Sequence, residues 1–599
     1  MRENSIEQVI SADASSNITD LLLDRVSRLP DHPLFALRKD DHTWADVTAR
    51  EFLETVHAVA KGFIAAGLQP GDRVGILSRT RYEWTITDFA LWFAGAISVP
   101  IYETSSAQQI AWNLGQTGAV GVVVESAHHQ QSTLSIQAGL HALTNIWCIE
   151  SGALEQLKAR GAEVTDDVLE ARRRSATAQD TATIIFTSGT TGAPKGCELS
   201  HANFVDLALS ARQRIPEVVM NDEPSSLLFM PLAHVFARFI EVLNVASNVR
   251  TGFTASTADL LDDLGSFRPS FILAVPRVFE KVYNSAAKKA GSGSRGKLFS
   301  AAVNTAIDFS TALDSARGPS IGLRMRHALF GRLVYSKLKS AMGGRLGYAV
   351  SGGASLGARL GHFYRGIGLT VLEGYGLTET TAPIVVNCPD AQRIGTVGPP
   401  LPGSAIRIAD DAEILVRGIG VFQRYWNDQA ATAAAFTDGW FHTGDFGSID
   451  DNGYLSVIGR KKELLVTAGG KNVSPSGIEN RVSAEPEVAQ CMLVGDGRQF
   501  IAALVTLDRD MIERDRSKDS PEVIQAVRTA FQEANQSVSR PEQVKKFLIL
   551  DSEFTEADGT LTPSLKLKRN VIAERFGSDI DALYATAGHD VTPRENAPA

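Results

Sequence analysis

The sequence predicts an α/β protein: a large, multi-lobed N-terminal domain of parallel sheets covered by helices, then a small α+β C-terminal domain. Three observations carry this. A chain of 599 residues has room for three to four domains at roughly 150 residues each. From Ser16 to about Leu114, and again to Glu150, short apolar runs alternate with segments of helical period, the signature of strand–helix crossovers. Near Arg460 the composition shifts, as the glycine-, aspartate- and aromatic-rich stretch Trp440 to Gly459 gives way to two mixed segments, Val482 to Ile512 and Pro521 to Phe547. The expected division is residues 1–459, 460–586 and a polar, proline-containing disordered tail at 587–599.

In chain order, Leu21 to Val26 reads as helix, Leu34 to Leu37 as strand, and Val47 to Leu68 as a helix closed by a Gly-Leu-Gln-Pro-Gly-Asp turn. Arg73 to Leu77 reads as a short buried strand, Trp84 to Ala96 as a helix, and Gly118 to Val124 and Ile146 to Glu150 as further strands. Lys288 to Lys297, K-K-A-G-S-G-S-R-G-K, has the composition of a flexible connector. Beyond it, Arg324, Arg326, Arg332, Lys337 and Lys339 lie in a helix-like stretch without an acid among them. Such a run is ordinarily a solvated face; its sharper reading is attraction to anionic lipid or to CoA phosphates.

Composition narrows the class. Hydrophobic residues at 44% and charged residues at 21%, with mean hydropathy −0.04, exclude a mainly disordered chain and a polytopic membrane protein. The 59 Lys and Arg against 68 Asp and Glu leave a net charge of −9, which gives no support to nucleic-acid binding. Four cysteines stand singly, without Cys-x-x-Cys spacing, so a reducing, cytoplasmic setting is expected and a structural zinc site is not. The first residues carry Glu3 and Glu7 and no apolar core, unlike a secretory signal. The longest uncharged apolar run, Phe89 to Tyr102, contains Pro100 and is short of the ~20 residues a spanning helix needs.

The strongest local signal is Thr183 to Gly196, T-I-I-F-T-S-G-T-T-G-A-P-K-G. An apolar strand runs into hydroxyls, glycines and one lysine. Glycines let backbone N–H groups turn toward an anion, hydroxyls donate further bonds, and lysine adds a point charge. This is phosphate chemistry without the spacing of a Walker loop. Nine fixed positions match T-S-G-T-T-G-x-P-K-G, and at about one in fifteen per position coincidence is negligible.

That segment resembles the signature of the adenylate-forming (ANL) superfamily, which includes acyl-CoA synthetases, luciferases and peptide-synthetase adenylation domains. Further motifs similar to that family's follow in order: Pro231 to Arg238, Ser351 to Ala354, Glu373 to Glu379, Trp440 to Asp445, Ile458 to Glu463 and Leu561 to Arg569. The resemblance covers essentially the whole chain and implies a mobile C-terminal domain. It implies activation of a carboxylate by ATP, with Mg²⁺, to an acyl-adenylate, then transfer to CoA.

Such a reaction sets a carboxylate against the α-phosphorus of ATP, so cations and donors are needed where charge builds up. The resemblance assigns Thr187, Ser188, Gly189, Thr190, Thr191, Gly192 and Lys195 to the β- and γ-phosphates. Glu379, with Thr187, would hold Mg²⁺. Gly352 and Gly353 would pass under adenine, beside Glu373, Gly374 and a stacking Tyr375, with Thr378 on the α-phosphate. Asp445 would accept the ribose hydroxyls, with Arg460 nearby. His234 would border the acyl pocket. Lys566 would serve the first half-reaction, with Lys568 as the register alternative. Lys462 would be the hinge, and Gly469 and Gly470 would admit the pantetheine arm of CoA.

Pro100 to Ser105, Val275 to Val282 and the Leu561 to Arg569 segment resemble the long-chain fatty acid–CoA ligases among these enzymes. The alternatives are a fatty acyl-AMP ligase that loads a carrier protein, a luciferase-like oxygenase, and a non-catalytic binding relative. Against the last, Lys195, Glu379, Asp445, Arg460, Lys462 and Lys566 are all present. Peripheral membrane contact and oligomeric state stay open at this point.

Overall fold

The strand Thr181–Thr187 is buried on both faces over its centre, as a strand inside a helix-covered parallel sheet must be. It lies in a seven-stranded sheet ordered Arg424–Tyr425, Lys195–Ser200, Thr181–Thr187, Ile97–Ile101, Arg73–Leu77, Gly121–Val124 and Asn145–Cys148. Pairing is parallel from Thr181–Thr187 onward and antiparallel before it. The computed structural model describes residues 2–187, 194–256, 259–291, 293–508, 517–562, 565–585 and 588–592.

A second sheet of eight strands has a parallel centre, Pro33–Arg38, Arg250–Phe253, Ser225–Leu228, Phe271–Ala274, Tyr348–Ser351 and Thr370–Leu377. Antiparallel strands Trp44–Thr48 and Ala382–Val386 close its edges. Helices pack between and around the two sheets. Their ends follow sequence cues: Thr48 and Glu51 form a capping box on Ala49–Ala65, as Ser106 and Gln109 do on Ala107–Thr117, which Gly118 ends in the left-handed region. One apolar core runs from Ile18 to Leu455 through both sheets.

The lobes are not all parallel. Glu3–Ile6, Ser404–Ile408, Glu413–Gly418, Phe436–Thr437, Trp440–Ile449 and Leu455–Arg460 form a six-stranded antiparallel sheet. Its first strand comes from the start of the chain, a pairing across some four hundred residues that local pattern does not display.

The C-terminal unit carries a four-stranded sheet, Val488–Val494, Ile501–Leu507, Val544–Ile549 and His589–Asp590. Alternate residues feed two cores: Cys491, Leu493, Ala503 and Val505 on one face, Met492, Val494, Ala502 and Leu504 on the other.

Two expectations are corrected. The connector expected at Lys288 to Lys297 is mostly helix: Pro276–Ala290 runs through Lys288 and Lys289, and Ser294–Leu313 begins one turn later. Lysines in a last helical turn complement the helix dipole, so their polarity does not imply a loop. The tail expected to be disordered from residue 587 begins with order, since His589–Asp590 pairs with Lys546 and Phe547.

Candidate active site

Both large sheets carry expected site residues at the carboxyl ends of their strands, Thr187 on the first and Gly352, Gly353 and Thr378 on the second, where open α/β sheets usually bind ligands. Thr187 ends its strand and Lys195 opens the next, opposite it in register. Ser188, Gly189, Thr190, Thr191 and Gly192, between them, lie outside the described residues. Lys195 Nζ stands 5.1 Å from the centroid of the Tyr425 ring. The Tyr425 hydroxyl donates to Glu379 Oε1 at 2.9 Å. Tyr425 thus ties the phosphate-loop lysine to the expected metal ligand. The sequence reading missed it, because only the pairing of Arg424–Tyr425 with Glu198 and Cys197 brings it there.

Glu379 lies on the single turn Thr378–Thr380 that follows Thr370–Leu377. Gly376 fits there because a Cβ would stand 1.9 Å from the Ala382 carbonyl oxygen. Upstream, Glu373 is buried, and its carboxylate accepts the Leu356 N–H at 3.0 Å. Burial raises its pKa and that hydrogen bond opposes the rise. Glu373 therefore pins the turn after Ser351–Gly353 to the neighbouring strand.

Tyr375 is buried, and its hydroxyl donates to Asp445 Oδ2 at 2.7 Å. The other Asp445 oxygen lies 3.3 Å from Arg460 Nε. Asp445 and Arg460 face each other across the strand pair Trp440–Ile449 and Leu455–Arg460. Burial pushes the Asp445 carboxyl up, and Arg460, the Tyr375 hydroxyl and Lys566 pull the other way. The result is a rigid acceptor beside a cation.

Lys566 arrives from the C-terminal unit. A Cβ on Gly353 would stand 3.7 Å from Lys566 Cε and 4.0 Å from its Nζ, at a glycine whose φ of +84° already excludes most side chains. The lysine's hairpin closes on itself: Thr562 N–H donates to the Lys566 carbonyl at 2.9 Å, and Lys566 N–H to Thr562 Oγ1 at 3.0 Å. Leu565 precedes it at φ +60°, a strained conformation for a leucine.

Protein surrounding the ammonium, with Arg460 beside it, lowers the Lys566 pKa to about 8, while Asp445 and Glu463 act against this. The side chain is surrounded by protein yet open to solvent. His234 and Asp445 also sense this lysine. Lys568 instead precedes the helix Arg569–Arg575, its N–H bonded to Thr560.

His234 caps the helix Val235–Ala246 by accepting the Phe236 N–H on Nδ1 at 3.2 Å. Desolvation, with Lys566 adding, lowers its pKa to about 4. The ring is therefore neutral near pH 7 with its proton assigned to Nε2, and it can only donate from that atom.

Contacts from Arg277 to Asp508 at 3.8 Å and from Thr104 to Glu556 join the two parts. Lys462 is exposed on the single turn Lys461–Glu463 at the junction. Gly469 and Gly470 are exposed on a hairpin bonded to itself through Thr467 and Lys471. The structure brings together Lys566, Gly353, His234, Asp445 and Arg460; Lys568, Gly469 and Gly470 are not among that group.

The AMP-binding enzyme family matches residues 22–426, and the AMP-binding enzyme C-terminal domain matches residues 462–588. The chain is 45% identical over 600 residues to the long-chain-fatty-acid–CoA ligase FadD15 of Mycobacterium bovis, covering 98% of this chain and 100% of that one. It is 30% identical to the human long-chain-fatty-acid–CoA ligase 1, over 92% of this chain and 84% of that one. Its fold matches the anthranilate CoA ligase AuaEII in complex with anthranoyl-AMP, with a TM-score of 0.74 at 18% identity over 94% and 98% of the two chains. It also matches the adenylation domain of a carboxylate reductase from Mycobacterium chelonae, with a TM-score of 0.74 at 20% identity over 96% and 94%.

Proposed function

Because the chain belongs to the AMP-binding enzyme family, we propose that its cleft joins a long-chain fatty acid to CoA in two half-reactions. In the first, a carboxylate oxygen bonds to the α-phosphorus of ATP as the α–β phosphoanhydride bond breaks and pyrophosphate leaves. In the second, the CoA sulfur bonds to the acyl carbon as the carbon–oxygen bond to AMP breaks, and the thiol proton passes to solvent. The observation that carries this is the Lys566 ammonium held over the Gly353 turn beside the Asp445–Arg460 pair.

In the first half-reaction Lys566 neutralises charge on the α-phosphoryl oxygens as the attacking carboxylate approaches. Thr187 and Lys195 receive the β- and γ-phosphates, and Thr378 donates to the α-phosphate. Asp445 accepts from the ribose, kept in place by Tyr375 and Arg460. Neutral His234 donates from Nε2 at the acyl end.

Among the described residues no group of three or more His, Cys, Asp or Glu side chains could hold a metal. Magnesium held mainly by nucleotide phosphates needs only one or two carboxylates, so Glu379 with Thr187 fits it. When bound, that ion would offset phosphate charge.

The second half-reaction needs Lys566 withdrawn and a path for a thiol. We assign Lys462 as the pivot and Gly469–Gly470 as the segment that replaces the lysine. The position of Lys566 supports this, because Thr562 and Lys566 bond to each other and neither belongs to a strand of the sheets.

The test is release of pyrophosphate and AMP with ATP, Mg²⁺ and fatty acids of increasing chain length, with and without CoA. Multiple turnovers that require CoA and yield acyl-CoA, greatest with long chains, are expected. A single burst of pyrophosphate leaving acyl-AMP that CoA does not discharge would overturn the reading in favour of carrier loading.

A further inference from the structure

One helix carries two apolar faces, and the fold uses only one. Ile321–Phe330, the π-turn Gly331–Tyr335 and Ser336–Ala341 run as a continuous rod. Its inner face is anchored. His327 stacks on Phe309 with ring centroids 3.8 Å apart and bonds to the Gly366 carbonyl at 2.6 Å. Phe330 is buried, and the buried Tyr335 donates its hydroxyl to the Ala302 carbonyl at 2.7 Å.

On the outer face Ile321, Met325, Leu329 and Leu333 are 79%, 70%, 55% and 45% exposed. Four-residue steps advance about 40° each on an α-helix, so the first three form one stripe. The π-turn winds less per residue and offsets that drift at Leu333. Arg324 and Arg326 fall roughly 100° to either side of the stripe's centre. Four large apolar side chains in line are not the scattered exposure of an ordinary surface.

Charge identifies the occupant. From Ser315 to Leu372 the chain holds nine Lys and Arg and no Asp or Glu, within a protein of net charge −9. Arg326 has only the distant Asp308 at 3.5 Å, and Arg324, Arg332 and Lys337 form no ion pair among the described residues. A second copy docked face to face would set these cations against themselves. CoA phosphates would satisfy the cations and leave the stripe in water. A bilayer with anionic headgroups satisfies both, since apolar side chains enter the interface while flanking cations meet the headgroups. No helix among the described residues is long and apolar enough to cross a membrane, so the contact lies in the plane of the surface.

We propose that the outer face of residues 321–341 is a docking surface for anionic membranes. It stands apart from the cleft and does not depend on the acyl-CoA reading.

The test is co-sedimentation of the full chain with phosphatidylcholine vesicles, with and without phosphatidylglycerol. Pelleting that requires phosphatidylglycerol and weakens with salt is expected. Met325→Asp/Leu329→Asp should abolish it, and Arg324→Ser/Arg326→Ser should weaken it about tenfold or more. These side chains are exposed, and an unchanged melting temperature would separate lost docking from lost folding. Met325→Trp should shift its emission to the blue on anionic vesicles alone. Pelleting unaffected by the substitutions, unshifted Trp emission, or no pelleting would overturn the proposal. So would a solution dimer that Met325→Asp/Leu329→Asp dissociates.

Discussion

Tyr375, Asp445 and Arg460 stand on three strands and are linked through Asp445, whereas Lys566 lies outside the sheets, its backbone bonded to Thr562. The first group belongs to sheets that share the main apolar core, and its carboxylate is 3% exposed. The second belongs to a unit with its own cores, open to solvent, next to a leucine at positive φ. A rigid half suits binding that is needed in both half-reactions, and a movable half suits a charge needed in one. The division of labour can be tested one residue at a time.

The largest effect is expected at the movable half. Lys566→Ala should lower the adenylation rate roughly a thousandfold, because it removes a cation aimed at developing charge. Thioester formation from supplied acyl-AMP should stay within a few-fold of wild type. Equal losses in the two half-reactions, measured by single-turnover quench, would break the comparison.

At the fixed half, Glu379→Ala should cost about a hundredfold in adenylation if that carboxylate holds the metal. Rate against Mg²⁺ concentration is the measurement, and an unchanged Mg²⁺ dependence would rule the role out. Tyr425→Phe is gentler. Losing the hydroxyl that positions Glu379 should cost about tenfold, with weakened Mg²⁺ dependence as the sign that Tyr425 acts through Glu379.

The same contrast explains what could be read from the chain. The strand at Thr183 to Phe186, the glycine turn at Gly352–Gly353 and the run Glu373 to Glu379 are legible because each is a few consecutive residues whose types state their geometry. The link from Lys195 through Tyr425 to Glu379 is not, since it needs strands more than two hundred residues apart to pair. The antiparallel sheet closed by Glu3–Ile6 was missed for the same reason. Lys288 to Lys297 misled in the opposite way: its polarity belongs to exposed faces of two helix ends, and composition alone does not separate these from a loop. Spacing leaves the register between Lys566 and Lys568 open; the structure sets Lys566 beside Gly353 and puts Lys568 at the start of the helix Arg569–Arg575.

The smallest expected effect sharpens the comparison most, because it reads the movable lysine without removing it. Its surroundings lower the Lys566 pKa to about 8, so the useful, protonated form is lost as pH rises through that value. For the free enzyme, kcat/KM for adenylation should therefore fall on the alkaline side, by about twofold between pH 7 and 8. Bound phosphates favour the charged lysine, so the limb in kcat should move to higher pH. Lys566→Arg keeps its charge at every pH in this range, and the alkaline limb should vanish even if the variant is slower overall. Asp445 and Tyr375, held in the fixed half, should leave the limb in place when Tyr375→Phe is made. A limb that survives Lys566→Arg would assign the titration to another group.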